Sequence, residues 1–167
     1  LEHVVITSVN RDELPDGGAG IYAETIRRIH EAVPGCSVEV LIPDFKGDEA
    51  ALQTVVDAKP EILGHNLETV LRLHPDVRPG GRYWRSISYL GAVKSMDASM
   101  LTKTGVILGM GEEAEEIEQA MSDLRKASVD ILTLGQYLRP SPMHIPVARW
   151  VTPDEFAMWK EIGEGRY

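Results

Sequence analysis

Short apolar runs rich in β-branched residues alternate with longer stretches whose apolar residues recur at helical spacing, from one end of the chain to the other. The run HVVITS at residues 3–8 predicts a short buried strand. After a polar, glycine-containing loop at residues 10–20, the apolar residues Ile21, Ile26, Ile29 and Val33 predict a helix over about residues 21–32. A second unit follows, with a strand at 37–42, a loop at 43–47 and a helix from about Glu49 that carries Leu52, Val55 and Val56 and is closed by Pro60. The third unit is a strand at 61–65 and a helix opening near Leu67, with Val70, Leu71 and Leu73 apolar and its end near Pro75. Arg78-Pro79-Gly80-Gly81 then breaks the chain. A helix over about 83–95 precedes a strand at 101–108 bounded by Gly109 and Gly111, and a charged helix over about 113–127 leads to a last strand at 130–135.

Strands that alternate with helices predict a parallel sheet with right-handed crossovers, open or curled into a barrel, and 167 residues suit a single domain. In either form the ligand site lies at the C-terminal ends of the strands. The residues to consider are therefore Thr7, Ser8 and Asn10 to Asp12; Pro43, Asp44 and Phe45; His65, Asn66 and Glu68; Gly109 to Glu112; and Gln136, Tyr137 and Leu138. Each has an ordinary alternative: Asn66 could cap a helix, and Glu68 could be a first-turn acid favoured by the helix dipole. Gathered at one rim, they form a candidate ligand cup.

Composition narrows the choice of ligand. Asp and Glu number 26 against 17 Lys and Arg, for a formal net charge of -9, and no clustered basic surface is available to hold phosphates. Small molecules or a protein partner fit better than nucleic acid. No run approaches the roughly 18 apolar residues of a membrane span, and the chain does not open on a signal-peptide pattern. Cys36 is the single cysteine and is expected in a turn before a strand, so neither a disulfide nor a cysteine-ligated metal site can be built from this chain alone. The histidines show no zinc-ligand spacing, and no GxSxG elbow occurs. Gly105, Ile107, Gly109 and Glu112 form a GxIxGxxE run in which glycines permit close approach to the backbone and the acid can order a loop or accept from a ribose or amine. The glycine offsets do not match a dinucleotide fingerprint.

Read in order, the rim segments resemble the lipoyl synthase signature. They are VITSVNRDEL at 5–14 with DGG at 16–18, PDFKG at 43–47, HNLETV at 65–70, TKTG at 102–105 continuing to Glu112, DLR at 123–125, and GQYLRPS at 135–141 with HIPV at 144–147. The resemblance covers nearly the whole chain.

It implies an α/β fold of the radical S-adenosylmethionine type: a parallel partial TIM-like barrel of six βα units, with residues 1–167 forming one domain that holds about strands two to six. By the same resemblance Thr7 and Ser8 lie near the methionine amine and Asn66 and Glu68 bind the ribose. Gly105, Ile107, Gly109 and Glu112 lie beside the adenine, and Gln136, Tyr137 and Leu138 pack against that base. Arg72, Arg85 and Lys103 are candidates for the methionine carboxylate or an acyl pocket. The cofactors implied are S-adenosylmethionine and two 4Fe–4S clusters. Both cysteine motifs that hold those clusters, and the C-terminal Arg-Ser-Ser-Tyr motif, are missing from the sequence, so no metal ligand is assigned and the chain reads as an inactive piece of a longer enzyme. The reaction implied is radical insertion of two sulfur atoms at carbons six and eight of a protein-bound octanoyl-lysine. Its partners would be an octanoylated lipoyl carrier domain or glycine-cleavage H protein and an electron donor such as ferredoxin or flavodoxin, in the cytoplasm, or in mitochondria or plastids of a eukaryote. Against this stands a cluster-less homologue that merely binds a nucleotide or acyl chain.

Overall fold

A computed structural model describes residues 1–167. Strands β1 (His3–Thr7), β2 (Ser37–Leu41), β3 (Ile62–Gly64), β4 (Leu101–Leu108) and β5 (Ile131–Gln136) lie side by side in chain order, and every neighbouring pair is parallel. The expected parallel sheet is therefore present, with all strand C-termini at one end. Because the strands follow one another without a switch in order, the helices pack on one face and leave the other open, as in a segment of a barrel.

The period-two alternation of side chains sorts the two faces. Val38 and Val40 of β2, Leu63 of β3, and Val106 and Leu108 of β4 are buried against helices. Helices α1 (Ala19–Ala32) and α2 (Glu49–Asp57) cover β2 and β3, with Ile26, Leu52, Val55 and Val56 buried. Helix α4 (Tyr83–Met96) spans the divide: Tyr89 and Val93 join that cluster, while Ile87 and Leu90 join a second one with Ile117 and Leu124 of α5 (Ala114–Lys126). Local chemistry starts these helices where the sequence asks. The Asp48 carboxylate accepts from the N–H groups of Ala50 and Ala51 ahead of α2, and the Glu116 carboxylate accepts from Glu113 N–H ahead of α5.

Three expectations need correction. The helix expected to open near Leu67 does not form. Leu67 and Val70 are buried, but Glu68 pairs with Val106 in the sheet, and only the four-residue α3 (His74–Val77) follows, with Pro75 inside it rather than closing an earlier helix. The spacing of Leu67 and Val70 is helical, but the sheet bond takes Glu68 out of a helix and the two residues are buried without one. Second, β1 is not a buried strand. It forms an edge, and Val5 is 55% exposed. Third, α6 (Pro153–Arg166) was not anticipated, although Thr152-Pro153-Asp154-Glu155 has capping-box spacing with proline at the first helical position. The Thr152 hydroxyl accepts from Glu155 N–H at 3.2 Å, and Trp159 is buried in the α4–α5 cluster.

Trp159 is the one buried residue of α6, so it should carry the docking of that helix. Trp159→Ala is expected to cost about 3–5 kcal/mol in urea unfolding, the range for large aromatic truncations in a core. A loss under about 1 kcal/mol would mean that α6 is not part of the cooperative unit.

Candidate functional site

The candidate site begins with an irregularity in the pairing of β3 with β4. Between the pair Gly64–Lys103 and the pair Glu68–Val106 one strand advances four residues and the other three, so one residue is extra. The Thr104 hydroxyl fills the gap: it donates to the His65 carbonyl at 2.8 Å and accepts from Leu67 N–H at 3.0 Å. Regular pairing resumes when Glu68 N–H donates to the Gly105 carbonyl and Ile107 N–H to that of Glu68. This is a β-bulge, closed by a left-handed Glu68 at φ 72°.

The bulge exposes two polar side chains. His65, Leu67 and Thr69 are buried, whereas Asn66 and Glu68 between them are half-buried. The hydrogen bonds made at this point by Asn66 and Glu68 run through their backbones, leaving the amide and the carboxylate without a partner in the chain. The ordinary alternative of helix capping falls with the missing helix. A Cβ on Gly105 would stand 3.0 Å from Asn66 Oδ1 and 3.2 Å from Thr133 Oγ1, so a larger residue there would press on the Asn66 amide.

Behind the bulge lies a polar knot. The buried His65 imidazole bonds the Ile42 carbonyl through Nδ1 at 2.9 Å and Ser86 Oγ through Nε2 at 3.0 Å. Burial, above all, pushes its pKa down to about 4, so the ring is neutral at pH 7. Nδ1 then carries the proton for the carbonyl. Arg78 Nη1 donates to the Asn66 carbonyl at 2.9 Å and to Ser86 Oγ at 3.2 Å. The ends of β2 and β3 and the start of α4 are thus tied together. Sequence reasoning missed Arg78 and Ser86, because Arg78 appeared only as the start of a Pro-Gly-Gly break.

On the open face the strand register aligns Thr7 with Leu41, Leu41 with Gly64, Gly64 with Lys103, Gly105 with Thr133 and Ile107 with Gly135. Gly64, Gly105 and Gly135 keep the wall thin beneath the rim. Lys103 Nζ bonds Glu39 Oε1 at 2.7 Å across the sheet, and the other Glu39 oxygen lies 3.7 Å from His3 Nε2. Ser8, at the exit of β1, accepts from the Tyr22 hydroxyl at 3.0 Å.

The GxIxGxxE run divides between the face and the fold. Gly105 and Ile107 belong to the open face. Gly109 turns the chain at φ 102°, and a Cβ there would stand 2.5 Å from Gln136 Nε2 and 2.6 Å from the Arg149 carbonyl. Glu112 is buried, accepts from the N–H groups of Gly109 at 2.6 Å and Met110 at 2.9 Å, and meets Arg149 at 3.3 Å. Gln136 and Tyr137 tie down the following segment: the Gln136 amide donates to the carbonyls of Tyr137 and Arg149 and accepts from Val151 N–H, and the Tyr137 hydroxyl donates to the Ile145 carbonyl. Leu138 is exposed. Arg72 grips Glu116 with two hydrogen bonds at 2.7 and 2.8 Å, and Arg85 pairs with Asp44 at 3.3 Å. The structure therefore gathers Asn66, Glu68, Gly105 and Ile107, and holds Arg72 and Arg85 in ion pairs with Glu116 and Asp44. A larger cavity of about 660 Å3 between α5, β5 and α6 is lined by Met121, Leu124, Leu134, Phe156 and Trp159 and includes none of the rim residues.

No family model matches the chain. It is 58% identical over 98% of its length to a lipoyl synthase of Rubrobacter xylanophilus, covering 51% of that protein. It is 53% identical over 98% of its length to a lipoyl synthase of Caldanaerobacter subterraneus, covering 57%, and 52% identical over 96% to one of Tropheryma whipplei, covering 45%. The chain thus spans about half the length of these curated relatives. Among solved structures, methylornithine synthase superposes with a TM-score of 0.71 over 99% of this chain and 47% of its own, at 15% identity. A radical S-adenosylmethionine methyltransferase from Kitasatospora setae, with cobalamin and a 4Fe–4S cluster bound, gives 0.61 over 88% of this chain and 29% of its own, also at 15% identity. These two likenesses show the fold.

The His65 knot makes stability depend on pH in a defined window. A folded-state pKa of about 4 against an ordinary 6.5 means that its contribution is complete above 6.5 and is lost as pH falls toward 4. Between pH 7 and pH 5 the expected loss is about 2 kcal/mol. Urea unfolding at the two values tests this, and His65→Gln should flatten the difference. An equally steep dependence in the variant would assign it to other groups.

Proposed function

Because this chain is similar over almost its entire length to about half of several lipoyl synthases, we propose that it forms the part of such an enzyme that binds the nucleoside of S-adenosylmethionine. The observation that carries this reading is the Asn66 amide and Glu68 carboxylate, both half-buried and unpartnered at the strand end beside Gly105, where a side chain would press on the Asn66 amide. A carboxylate can accept from both ribose hydroxyls, and an amide can donate and accept beside it. The bare backbone at Gly105 and Gly135 would admit the flat base, with Ile107 offering apolar contact and Tyr137 and Leu138 lying at the exit of the next strand. Thr7 and Ser8 stand at the corresponding exit of β1, where the family role is contact with the methionine amine. Gly109, Glu112 and Gln136 serve the same site by ordering the loops around it. Lys103 acts through its bond to Glu39, and Arg72 and Arg85 through Glu116 and Asp44, rather than as free cations.

The residues of this chain do not fit an iron–sulfur cluster. Cys36 is buried just before β2, at the opposite end of the sheet from the rim, and no group of three or more His, Cys, Asp or Glu is placed to hold a metal. When bound in a full-length enzyme, two 4Fe–4S clusters would supply the one-electron chemistry and the sulfur. What this chain contributes is position and exclusion of water. The whole protein would insert two sulfur atoms at carbons six and eight of an octanoyl-lysine carried by a lipoyl domain or glycine-cleavage H protein. Ferredoxin or flavodoxin would deliver electrons, and a cytoplasmic site suits the bacterial relatives. No helix is long and apolar enough to cross a membrane.

Glu68→Gln keeps the shape and removes the charge. In the full-length, cluster-loaded protein it should weaken S-adenosylmethionine binding by about tenfold or more, measured by anaerobic equilibrium dialysis, because charge-assisted hydrogen bonds contribute about 1.5–3 kcal/mol. Iron and sulfide content should stay at the wild-type value. Unchanged affinity would remove Glu68 from the site and with it the nucleoside reading.

A further inference from the structure

The bulge that presents Asn66 and Glu68 depends on a side chain that never reaches the rim. Thr104 is fully buried on the helix-facing side of β4, opposite in parity to Lys103 and Gly105. Regular parallel pairing would have the Gly105 N–H donate to the His65 carbonyl and Leu67 N–H donate back to the Gly105 carbonyl. Instead the Thr104 hydroxyl serves both His65 and Leu67, at 2.8 and 3.0 Å, and the Gly105 carbonyl is left for Glu68 N–H at 2.9 Å. One hydroxyl, as donor and acceptor together, thereby satisfies the two backbone groups that the extra residue strands. A buried N–H and C=O without it would each carry a desolvation cost, and the strand would slip into regular register.

Regular pairing would set Glu68 opposite Ile107 with an extended backbone. The bulge sets it opposite Val106 instead, in a left-handed conformation at φ 72°, so the position of its carboxylate relative to the Asn66 amide depends on the bulge. The geometry points to Thr104 as the positioning residue of the nucleoside subsite: its hydroxyl holds the one-residue bulge that places the Glu68 carboxylate beside the Asn66 amide. This inference rests on the nucleoside reading above and adds to it a residue that touches no ligand. Arg78, which holds the Asn66 carbonyl from the opposite side at 2.9 Å, supports the same segment.

Thr102 provides an internal control. It lies two residues earlier on the same strand and face, is equally buried, and its hydroxyl donates to Asp130 at 3.0 Å on the β5 side, touching neither His65 nor Leu67. Thr104→Val, Thr104→Ala, Thr104→Ser and Thr102→Val would be made in the full-length, cluster-loaded protein beside Glu68→Gln. S-adenosylmethionine affinity and urea stability would be measured for each.

Thr104→Val and Thr104→Ala should each weaken S-adenosylmethionine binding by about tenfold, comparable with Glu68→Gln. Thr104→Ser, which keeps the hydroxyl, should restore affinity to within about twofold of wild type. Thr102→Val should lower stability and leave affinity unchanged. If Thr104 acts through Glu68, the Glu68→Gln, Thr104→Val double variant should lose little beyond either single one. Wild-type affinity in whichever of Thr104→Val and Thr104→Ala folds, with Glu68→Gln still weak, would overturn the positioning role and leave the nucleoside reading intact. An equal loss of affinity in Thr102→Val would overturn it too, by showing that binding merely follows stability. Should Glu68→Gln bind normally, the nucleoside reading itself falls.

Discussion

A single buried hydroxyl stands where two strands would otherwise exchange backbone hydrogen bonds, and the arrangement at the strand ends follows from it. The backbone of β3 cannot leave the Thr104–Leu67 and Thr104–His65 bonds without stranding polar groups in a dry interior. Satisfying them fixes the extra residue, and the left-handed Glu68 resumes the pairing. Two polar side chains are then held out of the core beside a glycine. A site built on strand pairing in this way is more rigid than one carried on a free loop.

The surroundings hold the same segment by different means. Neutral His65, Ser86 and the Arg78 Nη1 form a network that binds the ends of two strands to a helix start. Buried hydrogen-bond networks of this type favour one arrangement over its near alternatives. The many ion pairs at the surface, such as Arg28 with Glu24 or Lys160 with Glu164, are exposed and contribute little by comparison. Lys103 with Glu39 is the partial exception. It crosses the sheet on the open face and joins β4 to β2 over the short β3.

The GxIxGxxE run shows how one motif can serve two purposes. Its first half is wall, where the absence of a side chain at Gly105 makes space. Its second half is scaffold, where Gly109 permits a turn that a Cβ would block and Glu112 collects two backbone N–H groups and Arg149. That scaffold reaches forward into the segment after β5 and so helps set the path to α6. The charge on Glu112 is spent on the loop. Glu68, in contrast, has no such partner in the chain.

Much of the fold was legible from pattern alone. Alternation of β-branched runs with amphipathic stretches was enough for five parallel strands in order and for the helices at Ala19, Glu49, Tyr83 and Ala114, because burial of one face per element is a local periodicity. The rim position of Asn66, Glu68 and Gly105 followed from the rule that ligands gather at strand ends. Other features were not legible. The absence of a helix after Asn66 is decided by Thr104, which lies nearly forty residues away in the chain and competes for the same backbone groups. Likewise the exposure of β1 depends on its place at a sheet edge, and the role of Arg78 depends on a carbonyl brought near by folding. Sequence determined which segments could pair and which residues could do chemistry. Tertiary structure alone decided which of those residues remain free to do it, because hydrogen-bond satisfaction in a buried interior is settled between partners distant in sequence.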